Sequence, residues 1–191
     1  MYQKYQTDAI VVGSRESGEA DKSLALYTRD FGLVRARATS VRSEKSKMRY
    51  ALQSYARANV ALVRGKSGWR AAGASASTTT VGKDGTGIAA FARISELVTK
   101  LVAGEDHNEY LFDAIAEAHN ALMREHVESV ATIEIIAVAR ILYALGYLSA
   151  EALETALFTH TAYTEPHLRE AEVIQDELLT SINKALSQTH L

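Results

Sequence analysis

Along the first part of the chain apolar and polar residues alternate, and later they recur at helical spacing. Between Leu33 and Val41, Val34, Ala36 and Ala38 alternate with Arg35, Arg37 and Thr39. This is the two-residue period of a strand with one small apolar face and one basic face. From Tyr55 to Arg64 the alternation returns, with Ala56, Ala58, Val60 and Leu62 on one face and Arg57 and Asn59 opposite. Ala9-Ile10-Val11-Val12 is a short apolar run entering a turn-rich stretch, Ser14-Arg15-Glu16-Ser17-Gly18-Glu19. Lys22 to Thr28 follows, then a tight connection at Asp30-Phe31-Gly32, and a weaker strand surrounds Trp69. Four or five short strands bounded by turn residues predict a small closed or sandwiched β fold.

The stretch Val81-Gly82-Lys83-Asp84-Gly85-Thr86-Gly87 is a glycine-rich joint where the period changes. Beyond it Ile88, Phe91, Ile94, Val98 and Leu101 are spaced for one helix face, and Leu111, Ile115, Ala118 and Leu122 for a second. Ile133, Ala137, Ile141 and Ala144 form a third stripe, with Gly146 placed for a C-terminal cap. Ser149 is placed to cap a short helix through Thr159, and Pro166, the only proline, opens a last helix carrying Leu168, Ala171, Leu178, Ile182 and Leu186. The pattern predicts a β domain over residues 1–81 and an all-helical domain over 82–191.

Charge sharpens that division. The net charge of −2 hides 14 Lys+Arg against 6 Asp+Glu in residues 1–81, a surplus of +8, and a deficit of −10 in the rest. Such asymmetry suggests two bodies with different partners, the basic one suited to polyanions. A 47% apolar content supports a buried core. No stretch approaches the roughly 18–20 apolar residues of a membrane span, and Met1-Tyr2-Gln3-Lys4 leads into no signal-like apolar core. With zero cysteines, disulfides, thiolate zinc sites, iron–sulfur clusters and cysteine nucleophiles are excluded together. A bacterial-type cytoplasmic setting is the simplest context.

Catalytic constellations are missing. Gly82–Gly87 lacks the lysine that follows the last glycine of a phosphate loop, so it reads as a linker. The histidines (His107, His119, His126, His160, His167, His190) show no H-E-x-x-H pattern. His119 and His126 could share a helix face, but no third ligand presents itself. The expectation is a non-enzyme with no metal and no cofactor. A basic cluster stands out instead: Arg35, Arg37, Arg42, Lys45, Lys47 and Arg49. Alternate strand positions put Arg35 and Arg37 on one face about 7 Å apart, close to the spacing of successive phosphates, and guanidinium groups favour bidentate phosphate contacts. Tyr27, Tyr50 and Tyr55 flank the cluster and are candidates either to stack unpaired bases or to fill the barrel core. The basic face suits DNA or RNA, so an RNA-binding barrel acting in translation or RNA maturation, and an adaptor binding only proteins, both remain open.

The order Ile10-Val11-Val12, Gly18-Glu19-Ala20-Asp21-Lys22 and Leu26-Tyr27-Thr28-Arg29-Asp30-Phe31-Gly32 resembles the opening of the RecO family of recombination mediators. Arg35-Ala36-Arg37-Ala38, Ser46-Lys47-Met48-Arg49 and Ala51-Leu52-Gln53 continue the likeness, and Leu142-Tyr143-Ala144-Leu145-Gly146-Tyr147 resembles the family's second domain. The resemblance implies an α+β chain: an N-terminal OB-fold β-barrel followed by an all-helical C-terminal domain. It implies binding to single- and double-stranded DNA, annealing of single strands, and loading of RecA onto DNA coated by single-stranded DNA-binding protein, SSB. RecR and SSB are the implied direct partners, RecA an indirect one, in the cytoplasm at the nucleoid, with no membrane. By the same resemblance the acidic, apolar tail of SSB would dock on the helical half, with Arg140 the candidate cation. Many family members carry a four-cysteine zinc module after the Leu-Gly-Tyr segment, whereas Ser149 to Thr164 contains no cysteine. That module is therefore gone or replaced by a plain helix. The chain is also short for the family beyond Gly146, and Ser40 stands where the family often has glycine.

Overall fold

The structure is a computed structural model that describes residues 3–78, 85–124, 129–150, 153 and 155–189. Two compact units emerge: Met1–Gly82 with Val102–His107, and Lys83–Leu101 with Asn108–Leu191. Most of the expected glycine-rich joint, residues 81–84, lies outside the described residues.

The first unit is built on β1 (Lys4–Ser17), β2 (Asp21–Thr28), β3 (Gly32–Ala38), β4 (Arg57–Gly65) and β5 (Gly68–Thr78). They form a closed barrel in the order β1-β2-β3-β5-β4. Neighbours are antiparallel except β3 and β5, which run parallel with Ala36 opposite Trp69 and Arg37 opposite Arg70. Full closure leaves no long open edge. This is the OB fold, and with the helices that follow it gives the α+β class that the resemblance implies. The alternation decides what fills it: Ala9, Val11, Leu24, Leu26, Val34, Ala36, Val60, Leu62 and Trp69 all belong to the core.

Several boundaries differ from the pattern. β1 continues through Ser14–Ser17, paired from Ser14 with Leu24 to Ser17 with Asp21, and the turn follows at residues 18–20. That polar run reads as a turn because the end of this hairpin is poorly covered on either face. β1 pairs with β4 through its first half and β2 through its second, bending at a register shift between Val11 and Gly13. There Val11 N–H donates to Ala56 O at 2.9 Å and Tyr55 N–H to Val11 O at 2.8 Å. Tyr55, in the left-handed region with φ 65°, therefore precedes β4 and does not begin it. β3 stops at Ala38, and residues 39–56 are a succession of turns rather than strand. Val41, Ala51 and Leu52 plug this loop into the barrel core.

The second unit contains α1 (Gly85–Leu101), α2 (Glu109–Leu122), α3 (Val130–Ala144), α4 (Glu165–Val173) and α5 (Gln175–Gln188). Phe91, Ile94 and Val98 of α1, Leu111, Phe112 and Ile115 of α2, and Ile133, Ala137 and Ile141 of α3 are buried at the expected helical spacing. Asn108 caps α2 by accepting from Leu111 N–H and donates to Ala144 O at the end of α3. α3 ends in a Schellman arrangement, with Gly146 at φ 78°, Gly146 N–H on Tyr143 O and Tyr147 N–H on Leu142 O. The single last helix expected from the pattern is instead two, interrupted at Ile174. Consecutive β-branched residues, Val173 and Ile174, lower helix propensity there, and both helices pack against α3. The short helix expected over 149–159 falls partly on residues 151, 152 and 154, outside those described; its described remainder from 155 to 159 forms turns.

Two glycines separate conformational cost from steric cost. Gly146 has open space around a built Cβ, whereas at Gly32, φ 64°, that Cβ would lie 2.2 Å from the Asp106 carbonyl oxygen. Gly146→Ala should cost about 1–2 kcal/mol, the left-handed penalty alone. Gly32→Ala adds displacement of backbone and should cost at least about 3 kcal/mol. Urea unfolding of the two variants checks this, and equal losses would refute the steric argument.

Candidate nucleic-acid interface

Because β3 alternates, Arg35 and Arg37 project from the barrel while Val34, Ala36 and Ala38 fill it. Across the strand Arg37 lies beside Ser23 on β2 and Arg70 on β5, and Arg35 beside Ala25. Arg70 is exposed as well. Lys66 and Ser67 form the two-residue turn between Gly65 and Gly68 that joins β4 to β5. Arg37, Lys66 and Arg70 line one surface cavity of about 290 Å³, walled by Trp69.

The cations divide into two groups. Arg37 donates to one Asp21 oxygen through Nη2 (2.6 Å) and Nε (3.1 Å), and Ser40 N–H occupies the other oxygen at 2.8 Å. The Ser40 amide first, and Arg37 second, hold the Asp21 carboxyl below its usual value. Ser40 sits in the left-handed region at φ 52°. This conformation explains why glycine suits the position. Arg57 is held by Asp8 at 2.6 Å. Arg42 donates to the Gly18 carbonyl and pairs with Glu16 at 3.2 Å, tying the loop back onto the β1–β2 hairpin. In contrast the side chains of Arg35, Lys45, Lys47, Arg49, Lys66 and Arg70 bond to no other described residue.

The structure brings Arg35, Arg37 and Arg70 onto one face. Arg49 lines a second depression with Lys22, Arg42 and two glutamates, Glu16 and Glu19. Lys45 and Lys47 are exposed on the loop, with no described contact joining them to β3. The tyrosines differ among themselves. Tyr27 is buried at 1% exposure, so it cannot stack a base, and burial, with the Asp106 carboxylate adding, pushes its phenol well up. Tyr50 is exposed, and Tyr55 is half-buried.

Lys66 and Arg70 escape the sequence pattern because the parallel β3–β5 pairing that sets Arg70 beside Arg37 joins strands far apart in the chain. Another feature hidden from the pattern surrounds Trp69. Its indole N–H donates to Glu105 at 2.8 Å, its ring lies under the Arg64 guanidinium at 5.2 Å, and Arg64 also reaches Glu105 at 3.3 Å. Tyr5 and Phe31 meet the same ring edge-on and tilted. The indole is thus locked in place.

In the helical unit Arg140, expected at a peptide groove, is fully buried. Its guanidinium donates to the carbonyls of Leu157 (2.9 Å), Thr161 (2.7 Å) and Ala162 (3.2 Å) and lies 4.8 Å over the Tyr163 ring. Burial pushes the Tyr163 phenol up to about 12. Those carbonyls bond to a side chain and not to amides four residues on, and residues 155–164 of the cysteine-free segment form no helix. The Arg140 guanidinium thus directs three of its five N–H groups to backbone carbonyls and lies buried within the fold, not at an exposed groove. His119 is buried edge-on to Phe91, His126 and His190 lie outside the described residues, and no group of three metal-ligating side chains gathers among the described residues. No helix among them is long and apolar enough to cross a membrane.

A closed five-stranded barrel with a cationic outer face makes the first unit an OB-fold domain. Residues 1–70, which include most of the barrel, match the family model described as Recombination protein O N terminal. The DNA repair protein RecO of Desulfitobacterium hafniense (strain DSM 10664 / DCB-2) is 43% identical over 63 residues, 33% of this chain and 23% of the relative. That of Pelotomaculum thermopropionicum is 42% identical over 62 residues, 32% of this chain and 24% of the relative. That of Dehalococcoides mccartyi strain 195 is 44% identical over 62 residues, with the same two shares. The match spans about a quarter of the length of these relatives.

Asp21 and Arg140 each generate a measurable expectation. A depressed carboxyl contributes stability in full above its unfolded value, 3.8 for Asp21, and loses it as pH falls through the folded one. The melting-temperature deficit of Asp21→Asn should therefore be constant at neutral pH and close below about pH 4; a deficit unchanged at pH 3 would refute the bridge. Arg140→Lys keeps the charge but cannot reach three carbonyls, and it should cost at least about 3 kcal/mol in chemical denaturation.

Proposed function

We propose that this chain is a non-enzymatic DNA repair and recombination factor whose barrel captures strands through their phosphates. One observation carries the reading: Arg35 projects from β3 with no side-chain partner among the described residues, next to Arg37 and Arg70 on the same face. Guanidinium groups at this spacing suit successive phosphates. Arg35, Arg37, Lys45, Lys47 and Arg49 are the proposed backbone contacts, with Arg42 holding the loop that presents three of them. The family match of the barrel and the printed name of the relatives, DNA repair protein RecO, support DNA as the polymer. Both single strands and duplexes offer such a backbone. On this reading the protein anneals single strands and helps load RecA onto SSB-coated DNA, working with RecR and SSB in the cytoplasm at the nucleoid.

Exposed aromatics are sparse on this surface, Tyr50 being the one large exposed ring of the barrel among the described residues. Binding is therefore mainly electrostatic, and phosphates carry no base information. Affinity should fall linearly with salt on logarithmic axes, with a slope of about −0.7 for each phosphate contacted on a single strand. Replacing Arg35, Lys47 and Arg49 together by alanine should make the slope shallower by roughly 2 units on every sequence tested. Arg42→Ala should instead lower the melting temperature and leave the slope of the folded protein close to the parent's. Anisotropy titrations with single-stranded DNA and with RNA of equal length, alongside thermal melts, check both. A folded triple variant with the parent slope would move the interface elsewhere, and stronger competition by RNA would move the function to RNA.

A further inference from the structure

The cavity beside the β4–β5 turn has a composition of its own. Arg37, Lys66, Ser67 and Arg70 supply its polar rim, and Val63 and Trp69 are among its walls. Its volume of about 290 Å³ is at the small end of ligand sites, which span roughly 300–1,000 Å³. That is room for one phosphate group with its sugar. The charges are also specific. Arg37 is balanced by Asp21, and Arg64 behind the indole is balanced by Glu105. The side chains of Lys66 and Arg70 have no partner among the described residues, and among those residues no acidic side chain lines the cavity. Two uncompensated cations therefore face a small space, with the Ser67 hydroxyl beside them. A backbone phosphodiester carries a single negative charge and is served by isolated cations such as Arg35. A phosphomonoester carries about −1.5 to −2 at neutral pH and three acceptor oxygens. It matches this cavity in charge and in number of acceptors.

We propose that this cavity is a phosphomonoester site that takes the terminal phosphate of a nucleic-acid strand. The inference rests on the nucleic-acid reading above and deepens it: the barrel distinguishes a phosphorylated strand end from a hydroxyl end. The locked indole makes the site observable, because Trp69 is the only tryptophan of the chain and forms its wall.

The experiment uses the full chain and twelve-residue oligothymidylates carrying phosphate at the 5′ end, at the 3′ end or at neither, with thymidine monophosphate as a free-nucleotide arm. Anisotropy gives affinities and Trp69 fluorescence reports the cavity. The expected result is about fivefold to tenfold tighter binding of an end-phosphorylated strand than of the hydroxyl strand, the scale of one added charge-assisted contact. The Trp69 signal should change only with the phosphorylated strand. In Lys66→Ala/Arg70→Ala the affinity ratio should fall to one, whatever happens to binding overall, while the melting temperature stays near the parent's. Equal affinities for all three strands, with the salt slope intact, would overturn the strand-end site and leave the backbone reading standing. Tight binding of thymidine monophosphate without binding of any oligonucleotide would overturn the strand source and the backbone reading together. A ratio that survives the double substitution would also overturn the assignment to this cavity.

Discussion

The barrel closes where β3 runs parallel to β5, over two residue pairs, Ala36 with Trp69 and Arg37 with Arg70. Inside the barrel this pairing sets a small side chain against the largest one in the core. Outside, it places two guanidinium groups side by side. Without it β3 would be an open edge, the core would lose one wall, and the basic face would end at a single strand. Packing and binding surface thus depend on the same few backbone hydrogen bonds. The bulge in β1 serves the same end, because one strand must bend to pair with β4 on one side and β2 on the other.

Gathering positive charge on one surface raises a cost from like-charge repulsion, and the structure answers it residue by residue. Asp8, Asp21, Glu16 and Glu105 each take one arginine. The pairings are not equivalent in purpose. Asp21 also fixes Ser40 at the start of the basic loop, and Glu105 also fixes the indole of Trp69. Each of these carboxylates sets a shape while it offsets a charge, and Arg35, Lys45, Lys47, Arg49, Lys66 and Arg70 are left to face solvent. The neutral pairs therefore outline the places where a polyanion would find unbalanced charge.

The helical unit meets a different constraint. Residues 155–164, ahead of α4, form no helix or strand, and their carbonyls need donors as buried groups do. Arg140 supplies them from one guanidinium to three carbonyls. From the other side Glu170 accepts from Thr155 Oγ1 and from Ala156 N–H. A single arginine on an apolar helix stripe reads in sequence as an exposed or snorkelling cation, since nothing local shows that three distant carbonyls converge on it.

The alternation of Val34, Arg35, Ala36, Arg37 and Ala38 is complete within the sequence, because a strand sends neighbouring side chains to opposite faces wherever it pairs. The stripes of α1, α2 and α3 are legible for the same reason, each being a local period that hydrophobic burial reads directly. The basic loop is legible as composition. Other features belong to tertiary structure alone. Arg70 joins Arg37 through a pairing between strands separated by more than thirty positions. Tyr27 proves buried although its neighbours in sequence leave either role open, and Ser17 proves to be strand although it reads as turn. Burial and pairing at these positions are set by what comes from elsewhere in the chain. Local periodicity determined which way the side chains of each element face, and the closed barrel decided which charges and rings stand next to one another.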